Sequence, residues 1–232
     1  MALTARRMET ARFRQRSHAM LTLFDYPPSQ NAWKVRLLLN HLGRAYHTEI
    51  VSIFEGAGRS DAYLAINPTG TVPAIRLDDG RTLAESNAIL AYLADGTPYL
   101  PSDPFERAKV QQWLHFEQER VESVIGSLRY WTLTGKLAQR PPALVETKRT
   151  GALRTLGILE RELSTRSFLA NNRYSIADMS VFAYASRAEE AGIPLEPYPH
   201  FRAWIARVQS QPGFLAAMHP YSEDPHTADE LP

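Results

Sequence analysis

"NPTGTVPAI", residues 67–75, decides how the first half of this chain is read. Val72, Ala74, Ile75 and Leu77 form an apolar run of strand type, yet Pro73 stands inside it. Proline donates no backbone hydrogen bond, so it belongs at a strand's first residue or on an edge, and X-Pro is also where a cis peptide is tolerated. Something other than a sheet ladder has to use the Val72 backbone.

Upstream of this stretch, "MLTLFDY" (20–26) reads as a short strand ended by Pro27-Pro28. Ser29-Gln30-Asn31 then opens a helix in which Val35, Leu38, Leu39 and Leu42 recur at i, i+3, i+4 and i+7. Ser29 or Asn31 serves as its N-cap and Gly43 as its stop. "YHTEIVSI" (46–53) is a second strand, followed by a loop at Gly56 and Gly58 and a short helix through Tyr63 and Leu64 that Asn67-Pro68 ends. Downstream, "VPAIRL" and "RTLA" flank Asp78-Asp79-Gly80, a strong signal for a tight hairpin. "SNAILAYLA" (86–94) returns to helical spacing. The order βαβαββα predicts a mixed sheet in an α/β unit.

After the Pro-rich "DGTPYLPSDP" (95–104) no convincing strand appears, which predicts an all-α second half. Amphipathic segments run from about 105 to 137 and from 142 to 163, and a third opens at "YSIADMSVFAYA". There Ser175 and Asp178 stand three apart like a capping box, with Tyr174 placed to staple onto Met179. Short helices are expected at 201–209 and 214–218, and disorder after Tyr221. The predicted division is a basic leader at 1–19, a first domain at 20–96 and a helical domain at 104–220.

Bulk properties limit the function. A chain of 232 residues, 44% of them hydrophobic, supports a real core. No apolar stretch approaches the roughly 18 residues of a membrane span, so no membrane partner is expected. With no Cys there is no disulfide framework, no Cys-ligated zinc and no protein thiol nucleophile, and any thiol chemistry must use a thiol from outside. The composition suits a reducing, cytoplasmic compartment. Residues 1–19 hold five Arg against one Glu, so 20–232 carry 21 basic and 24 acidic side chains, which disfavours a nucleic-acid partner. The leader lacks the apolar region of a secretory signal and reads as dispensable ahead of Met20. His41, His47 and His115 are too scattered for a metal site, and none is expected.

Four stretches together, "SQNAWKVRLLL", "NPTGTVPAI", "ESNAI" and "SIADMSVFA", resemble the glutathione transferase superfamily over nearly all of 20–220. The resemblance implies a thioredoxin-like first domain that binds glutathione as co-substrate, a helical bundle that walls an electrophile pocket, and a homodimer. It also implies a cis Val72-Pro73 bond, with the Val72 N–H and C=O pairing with the cysteinyl backbone of glutathione as an added strand would. Thr71 and Pro73 flank that contact. Ser86, at a helix N-terminus, is placed for the γ-glutamyl carboxylate and Glu85 for its ammonium. Arg59 and Arg129 are candidates for a glutathione carboxylate.

The first loop carries the chemistry. A thiol of pKa about 8.5 is mostly protonated at neutral pH, and lowering it by roughly two units asks for about 3 kcal/mol. One hydrogen bond to the charged sulfur is worth about 1.5–3 kcal/mol. Ser29 is the first candidate donor and Asn31 its rival, with Tyr26 a weaker one. Tyr130 and Trp131, on the long helix that also holds Trp113 and Phe116, are candidates for the electrophile pocket. Three functions follow: transfer of glutathione to a small hydrophobic electrophile, glutathione-dependent reduction of a disulfide or peroxide, or a non-catalytic glutathione-binding or interaction module.

Overall fold

The computed structural model describes residues 20–231; the basic leader lies outside the described residues. Four strands form one sheet in the order β2-β1-β3-β4. β1 (Leu21–Asp25) pairs in parallel with β2 (Tyr46–Ile50) and antiparallel with β3 (Ala74–Arg76), which pairs antiparallel with β4 (Thr82–Ala84). A parallel pair needs a crossover, and α1 (Gln30–His41) provides it. Strand alternation splits the core: Leu21 and Leu23 join the main cluster with α1, while Phe24, on the opposite face, packs with Val51, Tyr63 and Ala74. β2 stops at Ile50, short of the expected Ile53, because Val51 turns into this second cluster and Ile53–Glu55 coils into a 3-10 turn.

The hairpin forms as the Asp-Gly signal predicts. Leu77 N–H donates to Arg81 O at 2.8 Å, and Gly80 takes a φ of 84°, which L side chains resist. α2 (Asp61–Leu64) begins at the Ser60 cap, and α3 (Ser86–Ala94) follows β4.

Among the described residues, all regular structure beyond residue 103 is helical. α4 (Pro104–Phe116), capped by Asp103, runs unbroken into a π-helical stretch (Glu117–Gly126) and then α5 (Ser127–Leu133). The helix ends at Leu133, four residues before the expected 137, because Gly135 adopts a φ of 71°. α6 (Pro142–Leu163), α7 (Ile176–Ala185) and α8 (Pro199–Gln209) complete the bundle. The Ser175–Asp178 capping box is present at the start of α7. Trp33 of α1 stacks on Phe182 of α7 at 5.6 Å, so a single apolar cluster joins the sheet's α1 face to the bundle.

Two expectations fail. Residues 214–218 form no helix: α1 recruits carbonyls in and just before this segment, with Asn40 Nδ2 donating to Gly213 O at 2.9 Å and Trp33 Nε1 to Leu215 O at 3.2 Å. The tail after Tyr221 is ordered, in 3-10 turns at Tyr221–Glu223 and Pro225–Ala228. Its polarity suggested disorder, but its partners come from distant elements. Tyr26 donates to Asp224 at 2.8 Å, Lys136 to Thr227 O at 2.7 Å and Asp229 O at 2.6 Å, and Arg140 to Glu230 at 2.6 Å. Among the described residues no helix is long and apolar enough to cross a membrane.

Candidate functional site

The loop after β1, the turn before α2 and the segment before β3 meet along one wall of a cleft of about 240 Å³. Tyr26, Ser29, Asn31, Arg59, Thr71 and Val72 stand on that wall, and Tyr184, Tyr221 and Leu231 close the other side. Two glycines let the wall's loops approach. A Cβ on Gly70 would meet Gly58 O at 2.6 Å, and Gly70 already needs a φ of 71°.

Buried side chains brace the "NPTGT" turn. Asn67 Nδ2 and Tyr63 OH each donate to Thr71 O at 2.7 Å, and Asn67 Oδ1 accepts from Thr69 N–H at 3.1 Å. The Val72-Pro73 bond is cis. Neither the N–H nor the C=O of Val72 has a hydrogen-bond partner among the described residues, although Val72 lines the cleft. A backbone pair left open beside a cavity suits an extended peptide.

Ser29 caps α1, its Oγ accepting from Ala32 N–H at 3.2 Å. The hydroxyl hydrogen has no acceptor among the described residues and is available to the cleft. Asn31 is more committed. Its Nδ2 donates to Glu122 at 2.7 Å, and its Oδ1 accepts from Lys34 at 2.8 Å and from Ser86 at 3.2 Å. Tyr26 is unsuited to hold a thiolate, because its hydroxyl already donates to Asp224. Burial and that carboxylate push its pKa up, which keeps the phenol neutral and its hydrogen engaged.

The remaining candidates divide. Arg59 reaches the cleft, with Nη1 donating to Thr69 O at 3.1 Å. Pro73 and Ser86 are buried and Glu85 is exposed, and none of the three lines the cleft. Ser86 touches it through Asn31, while Glu85 takes a φ of 68° before α3 and makes no cap hydrogen bond with its side chain. Arg129 is engaged with other side chains in this arrangement. It is buried behind Tyr221, with its guanidinium 5.6 Å from that ring and its Nε 2.6 Å from Glu190. Trp131 packs under the Arg140 guanidinium, 5.5 Å away, and Trp113 lies in the core against Phe116. Of the four bundle aromatics, Tyr130 faces a cavity next to the cleft.

That second cavity, of about 400 Å³, shares Ile53, Tyr184, Tyr221 and Leu231 with the cleft and adds Phe54, Gln118, Glu122 and Tyr130. Tyr130 stacks on Phe54 at 6.3 Å and meets Tyr221 edge-on at 5.9 Å, giving a wall that is aromatic with polar tips. Burial raises the Glu122 carboxyl above its usual range, opposed first by Lys34. It holds Tyr184 well above the ordinary phenol value, with Glu122 adding to the effect. Sequence reasoning missed Tyr184, Tyr221, Leu231, Glu122 and Lys34. Only Lys34 left a trace, as a charge in the apolar stretch Ala32 to Val35.

Comparison with known proteins adds independent observations. Residues 28–95 match the family described as glutathione S-transferase, N-terminal domain, and residues 120–212 match its C-terminal domain. A crystal structure of a glutathione S-transferase from Pseudomonas fluorescens is similar at 38% identity with a TM-score of 0.82, covering 84% of this chain and 98% of that one. Elongation factor 1-gamma of Carassius auratus is 31% identical across 85% of this chain, which spans only 45% of that relative's length. The disulfide-bond oxidoreductase YfcG of Escherichia coli is 28% identical, over 83% of this chain and 92% of its own.

Proposed function

The chain belongs to the glutathione transferase superfamily, and from that premise we propose that it binds glutathione in the cleft, ionises its thiol and presents the thiolate to a small hydrophobic electrophile in the adjoining cavity. The observation that carries this reading is the open Val72 backbone beside the Ser29 hydroxyl in one cleft. A peptide seated along Val72 in the manner of an added strand brings its cysteinyl sulfur toward Ser29 and Asn31. Thr71 and Arg59 flank that strand. The γ-glutamyl end is directed toward the α3 N-terminus, where Ser86 and Glu85 stand behind Asn31.

Thiolate stabilisation is the chemical step these residues perform. Ser29 donates its free hydroxyl hydrogen, and Asn31 its second amide hydrogen. At about 1.5–3 kcal/mol for a hydrogen bond to a charged group, one or two such bonds lower a thiol by one to several pKa units. The electrophile then sits against Tyr130, Tyr184 and Tyr221. The active unit in this reading is a homodimer, which equilibrium sedimentation tests.

A second reading, glutathione-dependent reduction of a disulfide, draws on the similarity to the disulfide-bond oxidoreductase. The same thiolate attacks an S–S bond, and because the chain has no Cys a second glutathione must resolve the mixed disulfide. Titration with glutathione, followed by thiolate absorbance against pH, tests the shared premise; parallel assays with an aryl halide and a small disulfide separate the two reactions. Binding without turnover on either substrate would leave a non-catalytic module.

A further inference from the structure

Behind the cleft wall lies a charged pair that the mechanism above leaves unused. Lys34 stands one turn beyond Asn31 on α1 and contacts Glu117 at 2.7 Å, with both side chains fully buried. Burying two charges is unfavourable unless the geometry is good and the remaining sites are satisfied. Here one oxygen of Glu117, Oε2, also accepts from Asn87 of α3 at 3.0 Å and Gln118 at 2.9 Å and lies 3.1 Å from Ser180 Oγ of α7, whose hydroxyl is also 2.6 Å from Asn87 Oδ1, while Glu117 Oε1 is buried without a partner among the described residues. Three elements therefore hold the carboxylate, and the carboxylate holds the ammonium still.

The ammonium also donates to Asn31 Oδ1, at 2.8 Å, and stands 5.4 Å from the centre of the Tyr184 ring. A primary amide has one acceptor oxygen and two N–H donors. Lys34 and Ser86 occupy the oxygen, and Glu122 takes one N–H at 2.7 Å. A flipped amide would put its NH₂ against the ammonium, so the orientation is unique. One N–H remains, on a residue that lines the cleft. A cation on the carbonyl oxygen also draws density from that N–H and strengthens it as a donor. Glu117, by contrast, bonds to Asn87, Gln118 and Ser180 rather than to Asn31, so the pair presents its positive end to the amide.

We propose that Lys34 is a positioning residue for the glutathione-binding reading, on which this inference rests: it orients and polarises the Asn31 amide so that the free N–H donates to the bound thiolate. Glu122 clamps the amide from the other side. The titratable groups facing this cluster are Glu117 and Glu122 from the π-helical stretch, Tyr184 from α7 and Tyr221 from the tail. Burial raises the Glu122 carboxyl above its usual range, opposed first by Lys34.

Lys34→Met alone strands the Glu117 charge and risks unfolding, so the test uses the double variant Lys34→Met/Glu117→Gln. A glutamine oxygen still accepts from Asn87, Gln118 and Ser180. In the full chain, the apparent pKa of bound glutathione should rise by about one unit, an approximately tenfold loss of thiolate below that pKa. Binding measured where the thiol is protonated should be unchanged. On an Asn31→Ala background the same double change should shift nothing further. An equal shift on that background would overturn the role through Asn31. A wild-type thiolate signal that the double variant leaves unmoved would overturn the Lys34 role and leave the glutathione reading standing. No thiolate signal in the wild type would overturn both.

Discussion

Replacing Ser29 by Ala removes two things at once, and their sizes differ enough to be measured apart. The first is the cap of α1, where Ser29 Oγ accepts from Ala32 N–H at a longish 3.2 Å. Losing a serine cap costs about 0.5–2 kcal/mol, and this length places it toward the lower half. The second is the proposed donor to the glutathione sulfur, at about 1.5–3 kcal/mol, or roughly one to two pKa units on the bound thiol. Ser29→Ala should therefore lower the urea midpoint slightly and raise the thiol's apparent pKa by about one to two units, read from thiolate absorbance. Ser29→Asp separates the terms. It keeps the cap, because Asp caps as well as Ser, yet it sets a negative charge toward the sulfur. Its stability should match the wild type while its bound thiol titrates higher still. A bound-thiol pKa unmoved in Ser29→Ala, with stability reduced, would make Ser29 a cap and nothing more.

Asp178, fully buried, accepts from Leu169 N–H at 3.0 Å, Ser175 N–H at 3.1 Å, Ser175 Oγ at 3.3 Å and Trp204 Nε1 at 2.9 Å. Asp178→Ala strands several buried donors at about 1–3 kcal/mol each, so a loss of roughly 3–6 kcal/mol is expected in denaturant unfolding. Burial, outweighing those bonds, pushes the Asp178 carboxyl up to about 6. Because this folded value exceeds the unfolded value of about 3.9, the stability it contributes is full below pH about 4 and is lost as pH rises through about 6. Asp178→Asn should flatten that slope in urea midpoints taken across the window. Gly70→Ala, which combines a positive φ with the 2.6 Å approach to Gly58 O, should cost more than about 1 kcal/mol and weaken glutathione binding by calorimetry. Lys136→Met breaks the bonds to Thr227 O and Asp229 O, and limited proteolysis should then cut between 221 and 231 while the core resists.

The first domain was legible because its signals are local. Pro27-Pro28, Asp79-Gly80 and the Ser29 cap act within a few residues of themselves, and each element they bound appears in place. The same holds for Ser175 and Asp178. Errors arose where the deciding partner is far along the chain. Residues 214–218 have helical spacing, but Trp33, more than 170 residues upstream, takes the Leu215 carbonyl, and Asn40 takes that of Gly213 just before them. The polar tail lacks the apolar content to order itself and is held by Tyr26, Lys136 and Arg140. The π-helical stretch gave no signal, since its composition, "EQERVESVIG", is that of an ordinary amphipathic helix.

The site divides along the same line, and Arg129 shows how. Ser29 and Thr71 are held by partners within eight residues of them along the chain, so their position follows from local sequence. Arg129 looked free because sequence shows a guanidinium but not the carboxylate opposite it. Glu190, 61 residues later, is 2.6 Å away, and that pairing turns the side chain into a buried support for the Tyr221 ring. A buried charge is retained only with a partner, so in a helical bundle a charge at an inward position more often reports another charge than a ligand. Lys34 obeys the same rule through Glu117, but with one difference. It has a second polar contact, Asn31, and Asn31 stands on the cleft wall. Arg129 meets the cavities through the Tyr221 side chain, whereas Lys34 reaches the cleft through an amide that can transmit its charge. On that basis, substitutions at Arg129 should show mainly in stability, and substitutions at Lys34 in the titration of the bound thiol.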